Sequence, residues 1–248
     1  MKITLFSDLH CGESELTCGD RTPALSLDKL RGILSSCVRD GTDLVICLGD
    51  FTDGKSAGEA EKYLSLAAEE VKRSGIEFLC LPGNHDLYCM SDAEFFRISG
   101  FSRPPFSRKA GGGVLIFLDA CYSSPVGDAP PARYFSGGQT ADWRDSWLPH
   151  ESIDALGAEL SKRTPGSHDA VVLTHQAVDP GIEPRHIIRN APQIREVLER
   201  YADRVRCVVS GHYHKGGRGS TGGVGYITLP AVCTGTAVQP GAVLRICI

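Results

Sequence analysis

The chain has 248 residues, 42% of them hydrophobic and 23% charged, with a formal net charge of −4. Such a composition suits a soluble protein with a packed core, and the slightly acidic balance argues against a broad nucleic-acid footprint. The first apolar run, Ile3–Phe6, is too short for a secretory signal core or a membrane span, so the expectation is a cytoplasmic chain with no membrane partner.

In chain order, residues 1–6 alternate and then turn apolar, which predicts a short strand delivering Ser7-Asp8-Leu9-His10. Alternation along a strand would point Asp8 and His10 the same way. Leu27, Leu30, Ile33, Leu34, Cys37 and Val38 recur at helical spacing, with Ser26 as the expected cap and Gly41 as the stop. Residues 43–48 form a continuous apolar run, read as a buried strand that ends in Gly49-Asp50-Phe51-Thr52-Asp53-Gly54. A second helix carries Ala60, Tyr63, Leu64, Ala67, Ala68 and Val71 on one face and stops at Gly75. Residues 76–81 form the next strand, and Pro82-Gly83 turn the chain into Asn84-His85-Asp86.

Residues 101–113 read as a loop and 114–118 as a strand ending at Asp119. Residues 121–147 are long and irregular, and long ordered loops are often functional. The aromatic stretch 134–147 is a candidate substrate lid. The blander reading, which the spacing of Trp143 and Trp147 favours, is a short helix packed on the core. A helix over 150–163, a strand over 170–173 ending at Thr174-His175-Gln176, and a loop over 180–189 follow. Asn190 is the expected cap of a helix running to about Tyr201. The strand 205–209 ends at Ser210-Gly211-His212-Tyr213-His214. Glycine-rich residues 216–225 read as a turn, and 226–229 and 242–247 as closing strands.

No linker or internal repeat interrupts residues 1–248, which implies a single domain. The repeated βα pattern, with polar clusters where strands end, implies a stacked α/β architecture. The ten cysteines include no C-x-x-C pair, and Cys47, Cys80, Cys207 and Cys247 lie in apolar runs, where free thiols act as small hydrophobes. Free thiols in a reducing compartment are therefore expected rather than a disulfide framework.

The polar clusters are Asp8/His10, Asp50/Asp53, Asn84/His85, His175 and His212/His214. Any one of them could be an ordinary turn, but their recurrence at one strand end after another is harder to dismiss. Together they offer carboxylates, imidazoles and an amide oxygen, a set that suits Mn, Fe or Zn. They are too many for one ion. Two ions about 3.5–4 Å apart need a bridging carboxylate, and such pairs favour displacement at phosphate esters. His150, His168 and His186 lack this context and read as surface residues, His186 least securely because Arg185 and Arg189 share its loop near His175.

The succession Asp8-Leu9-His10, Gly49-Asp50, Gly83-Asn84-His85-Asp86, Thr174-His175 and Gly211-His212-Tyr213-His214 resembles the calcineurin-like metallophosphoesterases over nearly the whole chain. The resemblance implies an α/β/β/α sandwich of two mixed sheets with helices outside. It implies one metal on Asp8, His10 and His214, another on Asn84, His175 and His212, and Asp50 bridging them. His85 would face the substrate, oriented by Asp53. A metal-bridging hydroxide would attack phosphorus in line in a small phosphodiester, nucleotide diphosphate or phosphomonoester. Gly54-Lys55 stand where the protein phosphatases of this superfamily carry an Arg, which argues against a protein substrate. Residues 186–195, 211–217 and 228–230 are loosely similar to the manganese-dependent ADP-ribose/CDP-alcohol diphosphatase branch. The alternative is a non-catalytic protein-interaction module on the same fold, like the retromer subunit that lacks the His of the Asn-His block; the presence of His85 opposes it. The loops 121–147 and 180–189 are expected to flank the cleft. Arg185, His186 and Arg189 would hold a second or terminal phosphate, unless they are solvated surface charges.

Overall fold

Strands that are apolar at nearly every position must bury both faces, and this chain does so by stacking two sheets between helices. The computed structural model describes residues 1–134 and 142–248. One sheet has the order β12-β1-β2-β3, formed by Leu244–Cys247, Lys2–Phe6, Leu44–Cys47 and Glu77–Cys80. Its last three strands are parallel, and β12 is antiparallel to β1. The other has the order β10-β11-β9-β8-β5-β4, formed by Gly217–Thr221, Val224–Thr228, Val205–Ser210, Ala170–Thr174, Gly113–Leu118 and Ser107–Ala110. Here β11, β9, β8 and β5 are parallel, with antiparallel strands at both edges. A two-residue hairpin, β6 (Tyr122–Ser123) with β7 (Ala132–Arg133), stands apart.

Side-chain alternation divides the interior into three layers. Ile3, Leu5, Ile46, Leu79, Leu115, Phe117, Val171 and Leu173 meet between the sheets. Their strand neighbours Val45, Cys47, Phe78 and Cys80 face α1 (Ser26–Asp40), α2 (Ala57–Ser74) and α3 (Asp92–Ser99). Val114, Ile116 and Val172 face α4 (His150–Ser161) and α5 (Ala191–Arg200) on the other side. The architecture is the expected α/β/β/α sandwich. All ten cysteines are free. Among the described residues no helix is long and apolar enough to cross a membrane.

Several local expectations are corrected. Helix α3 was not anticipated, although Ser91 and Glu94 form a reciprocal capping box at its start. Strand β4 lies inside the segment read as a loop. Residues 217–221 form the edge strand β10, turned by Gly222 and Gly223 at φ +56° and +79°, rather than a turn throughout. Ser26 does not cap α1, because a short 3-10 turn precedes it and its buried hydroxyl donates to the Leu9 carbonyl at 2.5 Å. Asn190 precedes α5 but spends its side chain on Leu148, accepting from its N–H at 3.0 Å and donating to its carbonyl at 2.8 Å. Residues 142–149 contain no helix, so Trp143 and Trp147 do not form the packed turn that their spacing suggested. The part of the candidate lid at 135–141 lies outside the described residues.

Candidate metal centre

The loops that leave β1, β2, β3, β8 and β9 converge, and they are tied to one another. Asp8 N–H donates to Gly49 O at 3.0 Å, His10 N–H to Asp50 O at 2.9 Å, and Gly211 N–H to His175 O at 2.9 Å. Among the described residues six non-glycine residues have a positive φ. Four of them are Asp8 (57°), His10 (46°), Asp50 (52°) and His212 (65°). Strand alternation is therefore not what aims Asp8 and His10, since both lie past the end of β1 on left-handed backbone. That conformation costs roughly 1–2 kcal/mol per residue, and Asp and His tolerate it better than most. Glycine is required at three approaches: a Cβ on Gly49 would collide with His175, one on Gly83 with Asp50, and one on Gly211 with Ser7 and Asp8.

Asp50 sits between two groups of donor atoms. Its Oδ2 is 3.4 Å from His10 Nε2 and 3.4 Å from His175 Nε2. On one side His214 Nε2 is 3.4 Å from Asp8 Oδ1 and 3.2 Å from His10 Nε2. On the other, His175 Nε2 is 3.2 Å from Asn84 Oδ1, and donor atoms of Asp50, His175 and His212 all lie within 4.8 Å of one another. The surroundings orient these atoms. His175 Nδ1 lies 2.9 Å from Leu48 O, its donor position, so Nε2 is the atom turned toward Asp50. Asn84 donates from Nδ2 to Tyr88 Oη at 3.1 Å, which turns Oδ1 inward. Asp8 Oδ1 and His212 Nε2 are buried without a hydrogen-bond partner among the described residues. Orphaned buried acceptors beside a buried carboxylate are what a bound cation would satisfy, so the donor set fits metal on chemistry and on geometry.

The electrostatics agree. Burial would raise the Asp50 carboxyl, but His175, His85 and His10 outweigh it and hold it far below the usual carboxylate range. Burial alone would lower His10, but Asp53, Asp8 and Asp50 raise it to about 9. His175 likewise rises to about 9, against its burial, chiefly through Asp50. Without cations, protons fill the role of positive charge here.

His85 stands at the mouth of this cluster. Its backbone N–H donates to Asp50 Oδ1 at 2.8 Å, and its Nδ1 is 2.7 Å from Asp53 Oδ1. That pairing puts a proton on Nδ1 and leaves Nε2 facing outward. Asp86, completely buried, accepts from the backbone N–H groups of Phe51, Thr52 and Gly83 and so organises the loops beneath Asp50 and Asn84.

A cleft of about 310 Å³ opens over the cluster. Trp143, Arg185, His186, Tyr213 and Lys215 are among its lining residues. The His186 ring lies 5.0 Å from Trp143, 5.0 Å from Tyr213 and 5.1 Å from His212, so it is a cleft residue and not a surface one. Trp143 lines the cleft rather than packing on the core from a helix. Arg185 lines the cleft but is paired with Glu183 at 2.9 Å. Arg189 is absent from the lining and lies 3.9 Å from Asp145 instead. Two cluster residues escaped the sequence reading. Arg21 places Nη1 3.3 Å from His85 Nε2, and Cys233 places its thiol within 4.8 Å of donor atoms on His10 and His214. Neither sits in a motif or after a strand, so no local signal marked them.

Residues 1–216 match the family model described as calcineurin-like phosphoesterase. No curated protein matches the chain by sequence. Among solved structures, it is similar to a dimetal phosphatase from Danio rerio at TM-score 0.73 and 18% identity, covering 94% of this chain and 88% of that one. It is also similar to phosphopantetheinyl hydrolase from Mycobacterium tuberculosis at TM-score 0.56 and 13% identity, covering 99% and 95%. A third is the protein described as the anchor in the inner membrane complex of Plasmodium, at TM-score 0.57 and 13% identity, covering 97% and 76%. At these identities the likeness is one of fold.

Proposed function

The chain belongs to the calcineurin-like phosphoesterase family, and on that premise we propose that it hydrolyses a small phosphorylated substrate at a two-cation centre. Asp8, His10 and His214 would hold one cation, Asn84, His175 and His212 the other, with Asp50 shared. The observation that carries this reading is the position of the Asp50 carboxylate, 3.4 Å from imidazole nitrogens on both sides. The donor mix favours Mn, Fe or Zn.

Bound cations would supply Lewis-acid polarisation of the phosphoryl oxygens and activation of the attacking water. The protein does the rest. His85, held by Asp53 through Nδ1 and by Asp50 through its own N–H, presents Nε2 to the leaving-group side, where a proton has to be handled. The cleft volume suits a small substrate, and its Trp143–His186–Tyr213 wall offers flat surfaces to a ring or acyl portion. Against the non-catalytic alternative stands the meeting of the proposed donors and His85 at one place. Free thiols throughout fit a reducing, cytoplasmic setting.

The test is hydrolysis of phosphomonoesters, diesters and nucleotide pyrophosphates by protein that has been stripped with chelator and reloaded with Mn. Activity should return with metal at about two equivalents. Asp50→Ala should lose both ions and at least about 10³-fold in rate, since it removes a ligand common to both. Near-normal metal content in that variant would remove Asp50 from the bridging role.

A further inference from the structure

Among the described residues, the cation beside His85 at the mouth of the proposed centre is on a segment no motif marks. The residues after β1 wander outward and return at Arg21, whose guanidinium lines the cleft. Its Nη1 is 3.3 Å from His85 Nε2 and 3.7 Å from Asp53 Oδ2. Its Nε is buried with no hydrogen-bond partner among the described residues. The Asp53 carboxylate that would neutralise it is shared: Oδ1 meets His85 at 2.7 Å, and Oδ2 also faces His10 at 3.7 Å. Arg21 therefore retains charge and donors to give. The other cations of the cleft differ from it. Arg185 is 56% exposed and tied to Glu183, whereas the Arg21 side chain is 16% exposed.

The backbone under Arg21 is built to be rigid. Arg21 exchanges two hydrogen bonds with Thr17, N–H to O at 3.0 Å and 2.9 Å. Thr22 donates its N–H to Cys233 O at 3.0 Å and its hydroxyl to Cys233 O at 2.8 Å and Gly235 O at 2.6 Å. The buried Lys29 ammonium closes this knot, donating to Val232 O and Cys233 O at 2.9 Å and to Gly235 O at 2.8 Å. Cys233 N–H in turn donates to Asp8 O at 2.9 Å. The segment that carries Arg21 is thus bolted to the segment that holds the metal ligand Asp8.

We propose that Arg21 is a phosphoryl-oxygen clamp that selects a terminal, doubly charged phosphate group, so that the chain favours phosphomonoesters over diesters. This rests on the hydrolytic reading above. A guanidinium fork matches two oxygens of one phosphoryl group. A monoester offers a further anionic oxygen at neutral pH where a diester offers an esterified one. His85 and Arg21 would flank the same phosphorus, the first toward the leaving group and the second toward the non-bridging oxygens.

Two readouts test it on the Mn-loaded full chain. The first is equilibrium binding of inorganic phosphate by calorimetry. The second is kcat/KM on p-nitrophenyl phosphate against methyl p-nitrophenyl phosphate, which share a leaving group. Arg21→Met should weaken phosphate binding at least about tenfold and cut the monoester rate by about 10²-fold, the size of losing one oxyanion donor, while the diester loses no more than about threefold. Arg21→Lys, which keeps charge without the fork, should recover part of the monoester loss and guards against a folding artefact, with melting temperature and metal content checked in both. Equal losses on the two esters, or unchanged phosphate binding, would overturn the assignment. If the wild type hydrolyses neither ester yet loses phosphate binding with Arg21→Met, the clamp stands and the hydrolytic reading fails. If the Mn-loaded wild type binds no phosphate, the clamp fails.

Discussion

Replacing Asp86 by Ala probes how the centre is held rather than how it reacts. Asp86 Oδ1 accepts from Phe51 N–H at 2.9 Å, Thr52 N–H at 2.9 Å and Thr52 Oγ1 at 3.2 Å, and Oδ2 accepts from Gly83 N–H at 2.8 Å. Truncation leaves three backbone donors buried without an acceptor, at about 1–3 kcal/mol each. Part is recovered, because burial and the nearby Asp50 charge already push the Asp86 pKa up to about 6, so removing it relieves a repulsion. A net loss of about 3–5 kcal/mol remains, which for a chain of this size lowers the melting temperature by about 6–20 °C. Asp86→Asn keeps one oxygen and should lose roughly half as much. Since Phe51 and Gly83 flank Asp50 and Asn84, metal content should fall alongside. Thermal melts of the reloaded variants, with metal analysis, measure both. A melting point for Asp86→Ala within about 2 °C of wild type would mean that water satisfies these donors freely and that the carboxylate does not organise the loops.

Two further outcomes follow from the same geometry. His85→Ala should cripple hydrolysis of an alkyl phosphate, by about 10²–10⁴-fold, yet spare a nitrophenyl ester whose leaving group needs no proton; Asp53→Asn should show a weaker version, and equal losses on both esters would leave His85 only a charge-stabilising role. In metal-stripped protein His10 and His175 hold their protons up to a pH of about 9, so a cation must expel them: Mn affinity should climb as pH rises from about 6.5 to 9 and then level off, while pH-independent affinity would contradict the assignment. For the stripped protein the sign is opposite, since these raised pKa values stabilise the fold fully below about pH 6.5 and that contribution is lost as pH rises through about 9.

The layers of the sandwich were legible in the sequence because β2, β5 and β8 are apolar at nearly every position and helices α1 and α2 carry clear apolar stripes. The candidate donors were legible because each follows such a strand. What was hidden is informative. Helix α3 has only Phe95 fully buried, so its apolar signal is thin, and the capping box was the sole clue. The Gly217–Thr221 strand has no apolar side chain, so its edge position is set by pairing with β11 alone. Trp143 and Trp147 share a helical spacing but not a helix, since Pro149 and the bond from Asn190 to Leu148 fix that segment from outside.

Arg21 and Cys233 mark the deeper limit. They reach the centre through contacts between residues more than 200 positions apart, with Thr22, Lys29 and the 232–235 carbonyls as the joinery. Local pattern reports which residues lie at strand ends, but it carries no information on which distant loop will be fastened over them. The positive φ angles at Asp8, His10, Asp50 and His212 have the same origin. No single loop would hold a strained residue of this kind, and here each strained residue is bound by a neighbouring loop: Asp8 by Gly49 and Cys233, His10 by Asp50, and His212 by the Asp8 carboxylate. Asp50 is held in turn by the His85 N–H. The positions of the candidate donors are therefore a property of the knot of loops as a whole. That is why loosening it at Asp86, which makes no direct contact with the proposed cations' imidazoles, should cost metal as well as stability.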